Sequence, residues 1–281
     1  FIKMKIFHQK FKLIEQLERL RKLGSDVGFV PTMGALHEGH LSLLKKSCLN
    51  NKVTVVSIFI NPTQFSSSTD LSTYPNNLKE DCRLLKTISD EILVFAPDSK
   101  EIYGDKMYVK SYDFKGLDKF MEGEFRNNHF EGVATVVELL LNIVKPDTVY
   151  FGEKDFQQLQ IIKSLKTKIN IIGCKTQREK SGLALSSRNN KLSLKSKKVA
   201  SNIFKNLTFI KSNIFNYKIE DLRNIVSDKI NSFDQMNLEY LIIADEDKLV
   251  PTDSINYKKK YRAFISVFVD GIRLIDNIAL N

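Results

Sequence analysis

The chain has 281 residues, 42% of them hydrophobic and 27% charged, with 12 Gly, 6 Pro, 3 Cys and no Trp. That is ample apolar material for one large or two ordinary domains, and too little Gly and Pro for a collagenous or low-complexity chain. The formal net charge of +10 is spread along the sequence, with short runs at 195–198 and 258–260, so it reads mostly as solvated surface and not as a nucleic-acid footprint. No apolar run approaches the roughly 18 residues of a membrane span; the longest candidate, 133–144, is interrupted by Glu138. Cys48, Cys82 and Cys174 are odd in number, far apart and without a CxxC pair, which predicts a reduced, cytoplasmic chain with no disulfide frame.

The first segment lacks the apolar stretch and small-residue cleavage site of a signal peptide. Leu13, Leu17, Leu20 and Leu23, with charged residues between them, predict an amphipathic surface helix. Short β-branched runs then alternate with helical stretches. Strands are predicted at 27–30, 53–60, 91–95, 148–151 and 169–173, and helices at about 39–50, 76–88, 131–144 and 155–167. Near-continuous apolar strands alternating with helices predict an α/β, Rossmann-like, doubly wound parallel sheet, whose ligands lie beyond the carboxyl ends of the strands. After about residue 175 the rhythm changes. A polar loop leads into helices at 194–212 and 218–231, then strands at 238–243, 262–269 and 272–275, the last two joined by an Asp-Gly turn at 270–271. The predicted division is therefore a Rossmann-like domain over 1–175 and a smaller α+β domain over 176–281.

The rare residues cluster at the predicted strand ends. Two of the four histidines, His37 and His40, fall in "PTMGALHEGH" (31–40), which runs from the first strand into a helix. Gly34 and Gly39 permit close backbone approach, and a helix start offers N–H groups to an anion. The two imidazoles, three residues apart, share a face and suit phosphate oxygens. The alternatives are a capped helix with surface histidines, or zinc; the spacing is not that of HExxH. Neither GxGxxG nor GxxxxGK[ST] is present, which weighs against dinucleotide oxidoreductases and Walker-type phosphotransferases. "NPTQF" (61–65) follows the second of these strands and "GEKDFQQ" (152–158) the fourth. Lys154 suits phosphate, and Asp155 ribose hydroxyls or a metal; the plain alternative is a salt-bridged turn. "LALSSRN" (183–189) offers two hydroxyls and Arg188, fit for a mobile phosphate clamp or simply a helix cap. Gln64 and Gln158 each supply a donor and an acceptor, suited to a hydroxylated carboxylic acid, though a single glutamine is more often a surface amide.

Taken together, "VPTMGALHEGH", "VVSIFINPTQF", "YPNNLKED", "VFAPDSKEIY", "VYFGEKDFQQLQIIK", "GLALSSRN" and "RLIDN" resemble the pantoate–β-alanine ligase family of the HIGH-type nucleotidyltransferase superfamily. The resemblance runs nearly end to end. It implies a ligase using ATP and Mg²⁺: pantoate's carboxylate attacks the α-phosphorus, and β-alanine then displaces AMP from the pantoyl adenylate. Carried over by position, Met33, Gly34, Ala35, Leu36, His37, Glu38, Gly39 and His40 wrap ATP, with His40 the proton donor and His37 beside the phosphates. Gly152, Glu153, Lys154 and Asp155 match the ribose and phosphate segment, and Leu185, Ser186, Ser187 and Arg188 a mobile loop. Among these, His37, His40, Lys154 and Arg188 form the catalytic set. Gln64 and Gln158 match pantoate and β-alanine contacts. Asn61, Arg126 and His129 lie near substrate, and Asp81 near a metal. The resemblance also implies a lid-like C-terminal domain, a homodimer, and no nucleic-acid or membrane partner.

Some residues depart from the family pattern. "RNNHFEG" (126–132) stands where RPGHFRG is usual, Gln177 takes a commonly apolar position whose backbone meets adenine, and Ser181 replaces an acidic residue. Two other functions fit the composition: a nucleotidyltransferase acting on a phosphorylated acceptor, and a basic nucleic-acid-binding module. The amides of "NPTQF" and "FQQ" disfavour the first, which calls for more cations, and no motif asks for the second.

Overall fold

The computed structural model describes residues 4–65 and 68–281, so residues 1–3 lie outside it. Its first elements are β1 (Lys5–Phe7), α1 (Lys10–Lys22), β2 (Val27–Thr32), α2 (Glu38–Asn50), β3 (Val53–Ile58), α3 (Ser68–Ser72) and α4 (Leu78–Lys86). Then come β4 (Leu93–Phe95), α5 (Ser99–Tyr103), α6 (Glu122–Phe125), α7 (His129–Val144), β5 (Thr148–Gly152), α8 (Phe156–Ser164) and β6 (Asn170–Cys174). The C-terminal stretch holds α9 (Leu194–Ala200), α10 (Asn202–Asn213), α11 (Ile219–Asn231), β7 (Met236–Asp245), β8 (Tyr261–Val269) and β9 (Ile272–Ala279). Two compact units emerge. One comprises Phe1–Phe114, Arg126–Glu153 and Ile161–Lys175; the other Lys115–Phe125, Lys154–Gln160 and Thr176–Asn281.

In the first unit six strands form a parallel sheet in the order β1-β4-β3-β2-β5-β6. Every residue of β3 is buried, as is all of β2 except Pro31, because helices cover both faces of such a sheet. The chain moves outward from β2 through β3 to β4, then returns to the other side of β2 as β5. That reversal is the switch point at which doubly wound sheets leave a crevice. Pairing of β2 with β5 is confined to Gly28↔Thr148 and Phe29↔Val149, whereas β2 pairs with β3 from Val27↔Val53 to Thr32↔Ile58. β2 and β5 thus share no ladder near their carboxyl ends.

Helix α2 sits unusually close to this sheet. A Cβ on Gly28 would lie 2.3 Å from Ser47 Oγ and 2.5 Å from Asn51 Nδ2. Ser47 Oγ shares a 2.8 Å hydrogen bond with Thr54 Oγ1, and Asn51 Nδ2 donates to the Tyr150 hydroxyl at 2.7 Å. The N-terminal amphipathic helix forms as expected, with Leu13, Leu17 and Leu20 buried, but Leu23 caps it and is 75% exposed. Strand β1 is not legible as a strand: it has three residues, two of them exposed, and pairs only with β4. Its lysine is typical of a protected edge.

In the second unit β7, β8 and β9 form an antiparallel sheet joined between β8 and β9 by the Asp270-Gly271 turn. Its core packs Leu207, Ile210, Leu222 and Val226 of α10 and α11 with Ile243, Ile265 and Val267. The single helix expected over 194–212 divides at Ser201, whose hydroxyl donates back to the Lys198 carbonyl at 2.7 Å. The last strand, expected to end at 275, continues to Ala279 against β8.

Candidate active site

The loop leaving β2 at the switch point is built around two residues with positive φ, Gly34 at 80° and Ala35 at 49°. Thr32 anchors its start by donating to the Ser57 carbonyl at 2.7 Å and accepting from the Gly34 N–H at 3.2 Å. Gly34 is required on two counts. Its φ is the left-handed one, and a Cβ would meet Asp81 Oδ2 at 2.9 Å and Ile58 Cγ2 at 3.0 Å. Asp81, buried in the first turn of α4, accepts from the Leu36 and Ala35 N–H groups at 2.7 and 3.1 Å. Burial pushes its carboxyl above the ordinary value, and the two amide bonds pull it back. Both carboxylate oxygens of Asp81, expected near a metal, accept from the loop and hold its backbone.

His37 is the N-cap of α2, its Nδ1 accepting from the Gly39 N–H at 3.1 Å. An amide N–H can only donate, which leaves the ring proton of the neutral imidazole on Nε2. His40 follows one turn later with its ring centroid 4.1 Å from that of His37. Glu38 points to solvent, 3.6 Å from Lys45.

A second cluster surrounds the 3-10 turn Pro62–Gln64 beyond β3. Asn61 is 1% exposed. Its Oδ1 accepts from the Tyr103 hydroxyl at 2.5 Å and from Thr63 Oγ1 at 3.0 Å, and its Nδ2 donates to Gln64 Oε1 at 3.1 Å and to the Gly132 carbonyl at 3.3 Å. Gln64 Nε2 lies 2.9 Å from Met33 Sδ. The Gln64 carbonyl is met by His129 Nδ1 at 2.8 Å and an Arg126 N–H at 3.2 Å, and Arg126 also reaches His129 Nε2 at 3.0 Å. Asn61, Gln64, Met33, Arg126 and His129 are therefore one assembly. Thr63 and Tyr103, not singled out from sequence, complete it; the only signal for Tyr103 is its place in the "VFAPDSKEIY" stretch.

Gly152 and Glu153 close the Arg126–Glu153 segment of the first unit, and the remaining predicted residues belong to the second. Lys154 Nζ lies 3.2 Å from Asp155 Oδ1, and its carbonyl accepts from Asn277 Nδ2 at 2.8 Å. Of the adjacent glutamines, Gln157 is 4% exposed and spends its amide on the backbone of Leu117, Phe120 and Glu122, while Gln158 is half-buried. Segment 176–185 folds back on itself, with the Leu185 N–H donating to the Gln177 carbonyl at 3.0 Å. That places an intramolecular partner on the backbone group at Gln177. Arg178 anchors the fold-back with a forked ion pair to the buried Asp276, at 2.5 and 2.9 Å, and stacks 3.8 Å over Phe204. Ser186 then caps a 3-10 turn over Ser187–Lys191 by accepting from the Arg188 N–H at 3.3 Å, and the Arg188 guanidinium reaches the Arg273 carbonyl at 3.4 Å. Arg273 in turn forks onto Glu122 at 2.6 and 2.8 Å and contacts Glu239, with the Tyr240 hydroxyl 2.9 Å from Glu122. Arg178, Asp276 and Arg273 were not singled out from sequence, although "RLIDN" contains two of them.

Among the described residues no group of three or more His, Cys, Asp or Glu could hold a metal by itself, and no helix is long and apolar enough to cross a membrane. All three cysteines are free thiols.

The family model described as pantoate-beta-alanine ligase matches residues 5–279. The chain is 46% identical to the pantothenate synthetase of Christiangramia forsetii over 99% of this chain and 100% of that one. It is 44% identical to that of Flavobacterium psychrophilum over the same shares. Its fold superposes on the crystal structure of pantothenate synthetase from Thermus thermophilus with a TM-score of 0.88, at 33% identity and 99% coverage of each chain. It also superposes on pantoate-beta-alanine ligase from Francisella tularensis, complexed with beta-gamma ATP and beta-alanine, with a TM-score of 0.80 at 36% identity, covering 99% of this chain and 98% of that one.

Proposed function

This chain belongs to the pantoate–β-alanine ligase family, and from that premise we propose that it condenses (R)-pantoate with β-alanine at the expense of ATP. The pantoate carboxylate attacks the α-phosphorus in line. An O–P bond forms, the bond to the bridging oxygen breaks, and pyrophosphate leaves. The β-alanine amine then attacks the carbonyl of pantoyl adenylate, expelling AMP and losing a proton as the amide forms. A carboxylate is a weak nucleophile, so holding it against ATP supplies much of the acceleration. Excluding water protects the acyl adenylate from hydrolysis.

The observation that carries this reading is the loop from Met33 to His40 at the switch point, which sets two imidazoles, with ring centroids 4.1 Å apart, at the start of α2. With its proton on Nε2, His37 donates to a phosphate oxygen, and His40 stabilises charge growing on the α-phosphate. Lys154 and the Ser186–Arg188 loop take the remaining phosphate charge, Gly152 and Asp155 the ribose, and Gln177 and Leu185 the adenine. Gln64 and Gln158 bind the hydroxy acid, with Arg126 and His129 fixing the backbone beside it. A Mg²⁺ ion brought with the nucleotide would supply charge neutralisation for the pyrophosphate, alongside Lys154 and Arg188. In the same proposal the protein is a cytoplasmic homodimer, the dimer being open to test by sedimentation.

The amide-rich turn at Asn61–Gln64 supports an uncharged contact for the acceptor. The decisive experiment is isotope exchange between pyrophosphate and ATP. It should require pantoate and proceed without β-alanine; exchange that ignores pantoate would remove the acyl adenylate from the mechanism.

A further inference from the structure

We propose that Tyr103 is a positioning residue which, by holding the Asn61 oxygen that the backbone has oriented, supports the polarity of the Gln64 carboxamide so that Gln64 presents its N–H donors to the acid substrate. This deepens the function proposed above and rests on it. The orientation of an amide is set by its obligatory partners. At Asn61 these are unambiguous. The Thr63 N–H, which can only donate, faces Oδ1 at 3.4 Å, and the Gly132 carbonyl, which can only accept, faces Nδ2 at 3.3 Å. The Tyr103 hydroxyl adds the shortest bond to the oxygen, at 2.5 Å. The second Asn61 amide hydrogen must then point to Gln64, which answers with Oε1 at 3.1 Å. Gln64 has one freedom left, a flip of its own amide, and the flip would set two NH₂ groups against each other.

The rest of the turn is immobilised. A Cβ at Gly132 would lie 2.4 Å from the Thr63 carbonyl, so the α7 backbone packs directly on it. On the far side His129 and Arg126 pin the Gln64 carbonyl. What remains is a Gln64 NH₂ group resting at 2.9 Å on the Met33 sulfur. A thioether is a weak acceptor, so a carboxylate or hydroxyl oxygen displaces it at little cost. Burial pushes the Tyr103 hydroxyl above its ordinary range, which keeps it a donor at neutral pH. The polarity has a consequence for specificity. A site offering donors accepts oxygen at this position and rejects an ammonium, because two donors would then face each other without water.

The test is pantoate-dependent pyrophosphate–ATP exchange with Tyr103→Phe and Asn61→Asp, each also assayed with the analogue carrying an amine in place of the 2-hydroxyl. Tyr103→Phe retains the ring packed 5.9 Å from Tyr108 and 6.4 Å from Phe59. Its pantoate KM should rise about tenfold, the loss of roughly one hydrogen bond, with the ATP KM and thermal midpoint moving far less. Asn61→Asp presents oxygen where Gln64 now finds N–H, so Gln64 should invert and discrimination against the amine analogue should fall at least tenfold. Unchanged pantoate KM in Tyr103→Phe, or equal rises in the pantoate and ATP KM values, would overturn the proposal; this variant decides the matter even if Asn61→Asp does not fold. Wild-type exchange independent of pantoate would instead overturn the function itself.

Discussion

Replacing Gly28 with alanine should disturb both the fold and the first half-reaction, because the strand residue and the histidine helix touch there. The new Cβ would sit 2.3 Å from Ser47 Oγ, 2.5 Å from Asn51 Nδ2 and 2.8 Å from Asn51 Cγ, where ordinary contacts begin at 3.4 Å. Both side chains must retreat by about 1 Å, and neither is a loose end: Ser47 is tied to Thr54 and Asn51 to Tyr150. Overpacking of this kind costs about 1–3 kcal/mol, and two strained hydrogen bonds add about 1 kcal/mol each. Against that, alanine regains about 0.5–1 kcal/mol of backbone entropy lost by glycine in a strand. The expected net loss is about 2–4 kcal/mol, read from urea unfolding as a lower midpoint at unchanged slope. A helix displaced by a fraction of an ångström moves His37 and His40 with it, so exchange should slow at least about tenfold. Adding Ser47→Ala removes the nearest clashing atom and should restore part of both losses, a non-additivity expected only of touching sites. A Gly28→Ala protein within 0.5 kcal/mol of wild type would show that α2 is not wedged as described.

Asp81→Asn separates two roles for that carboxylate. Its NH₂ must face one of the Ala35 and Leu36 amides, which should cost about 1–3 kcal/mol and raise the ATP KM while leaving the Mg²⁺ titration midpoint in place; a shifted Mg²⁺ midpoint at full stability would restore the metal role instead. Arg178→Ala leaves Asp276, with a side chain 3% exposed, charged and buried, and should cost about 3–5 kcal/mol in thermal or urea unfolding. The double variant Arg178→Ala/Asp276→Asn should lose less than Arg178→Ala alone, and equal losses would mean the pair is not coupled. Glu138 is held below the ordinary carboxylate range by the Tyr112 hydroxyl and Lys110, against the opposite pull of burial. A lowered carboxyl stabilises the fold above its unfolded pKa and loses that contribution as pH falls through the folded one. Glu138→Gln should therefore be slightly less stable than wild type at pH 7, by well under about 1 kcal/mol at so exposed a site, with the difference vanishing on acidification.

Periodicity carried much of this architecture, for physical reasons that vary by element. The long apolar strands could hardly be mistaken, since a strand buried on both faces must be apolar at every position. β1 escaped because it is only three residues long and leaves Lys5 and Ile6 exposed, so it shows no alternation to read. Helices α9 and α10 read as one because nothing in a string of residues marks Ser201 as the point where a hydroxyl competes for a backbone carbonyl. At the candidate site, the loop with His37 and His40 was legible from its rare residues. Tyr103, Arg178 and Asp276 were not: each is common in type and acquires its place only from a partner 42 or 98 positions away.

The glutamines of α8 show where sequence stops and folding begins to decide. Gln157 and Gln158 have identical chemistry, yet one helical step of rotation buries the first among carbonyls and amides of 117–122 and leaves the second half-exposed. Saturation by the protein is what separates a support from a contact. Asn61 and Asp81 fall on the same side of that line as Gln157, since their polar atoms are spent internally. Each buried amide or carboxylate is tolerated only because every partner is supplied, and that same completeness makes it a rigid reference. Gln64 differs by a single weak link, the thioether of Met33. A half-buried group held by strong bonds on all sides but one has its orientation dictated by the fold and its last bond available for exchange. That combination is what selective binding of a small hydroxy acid demands.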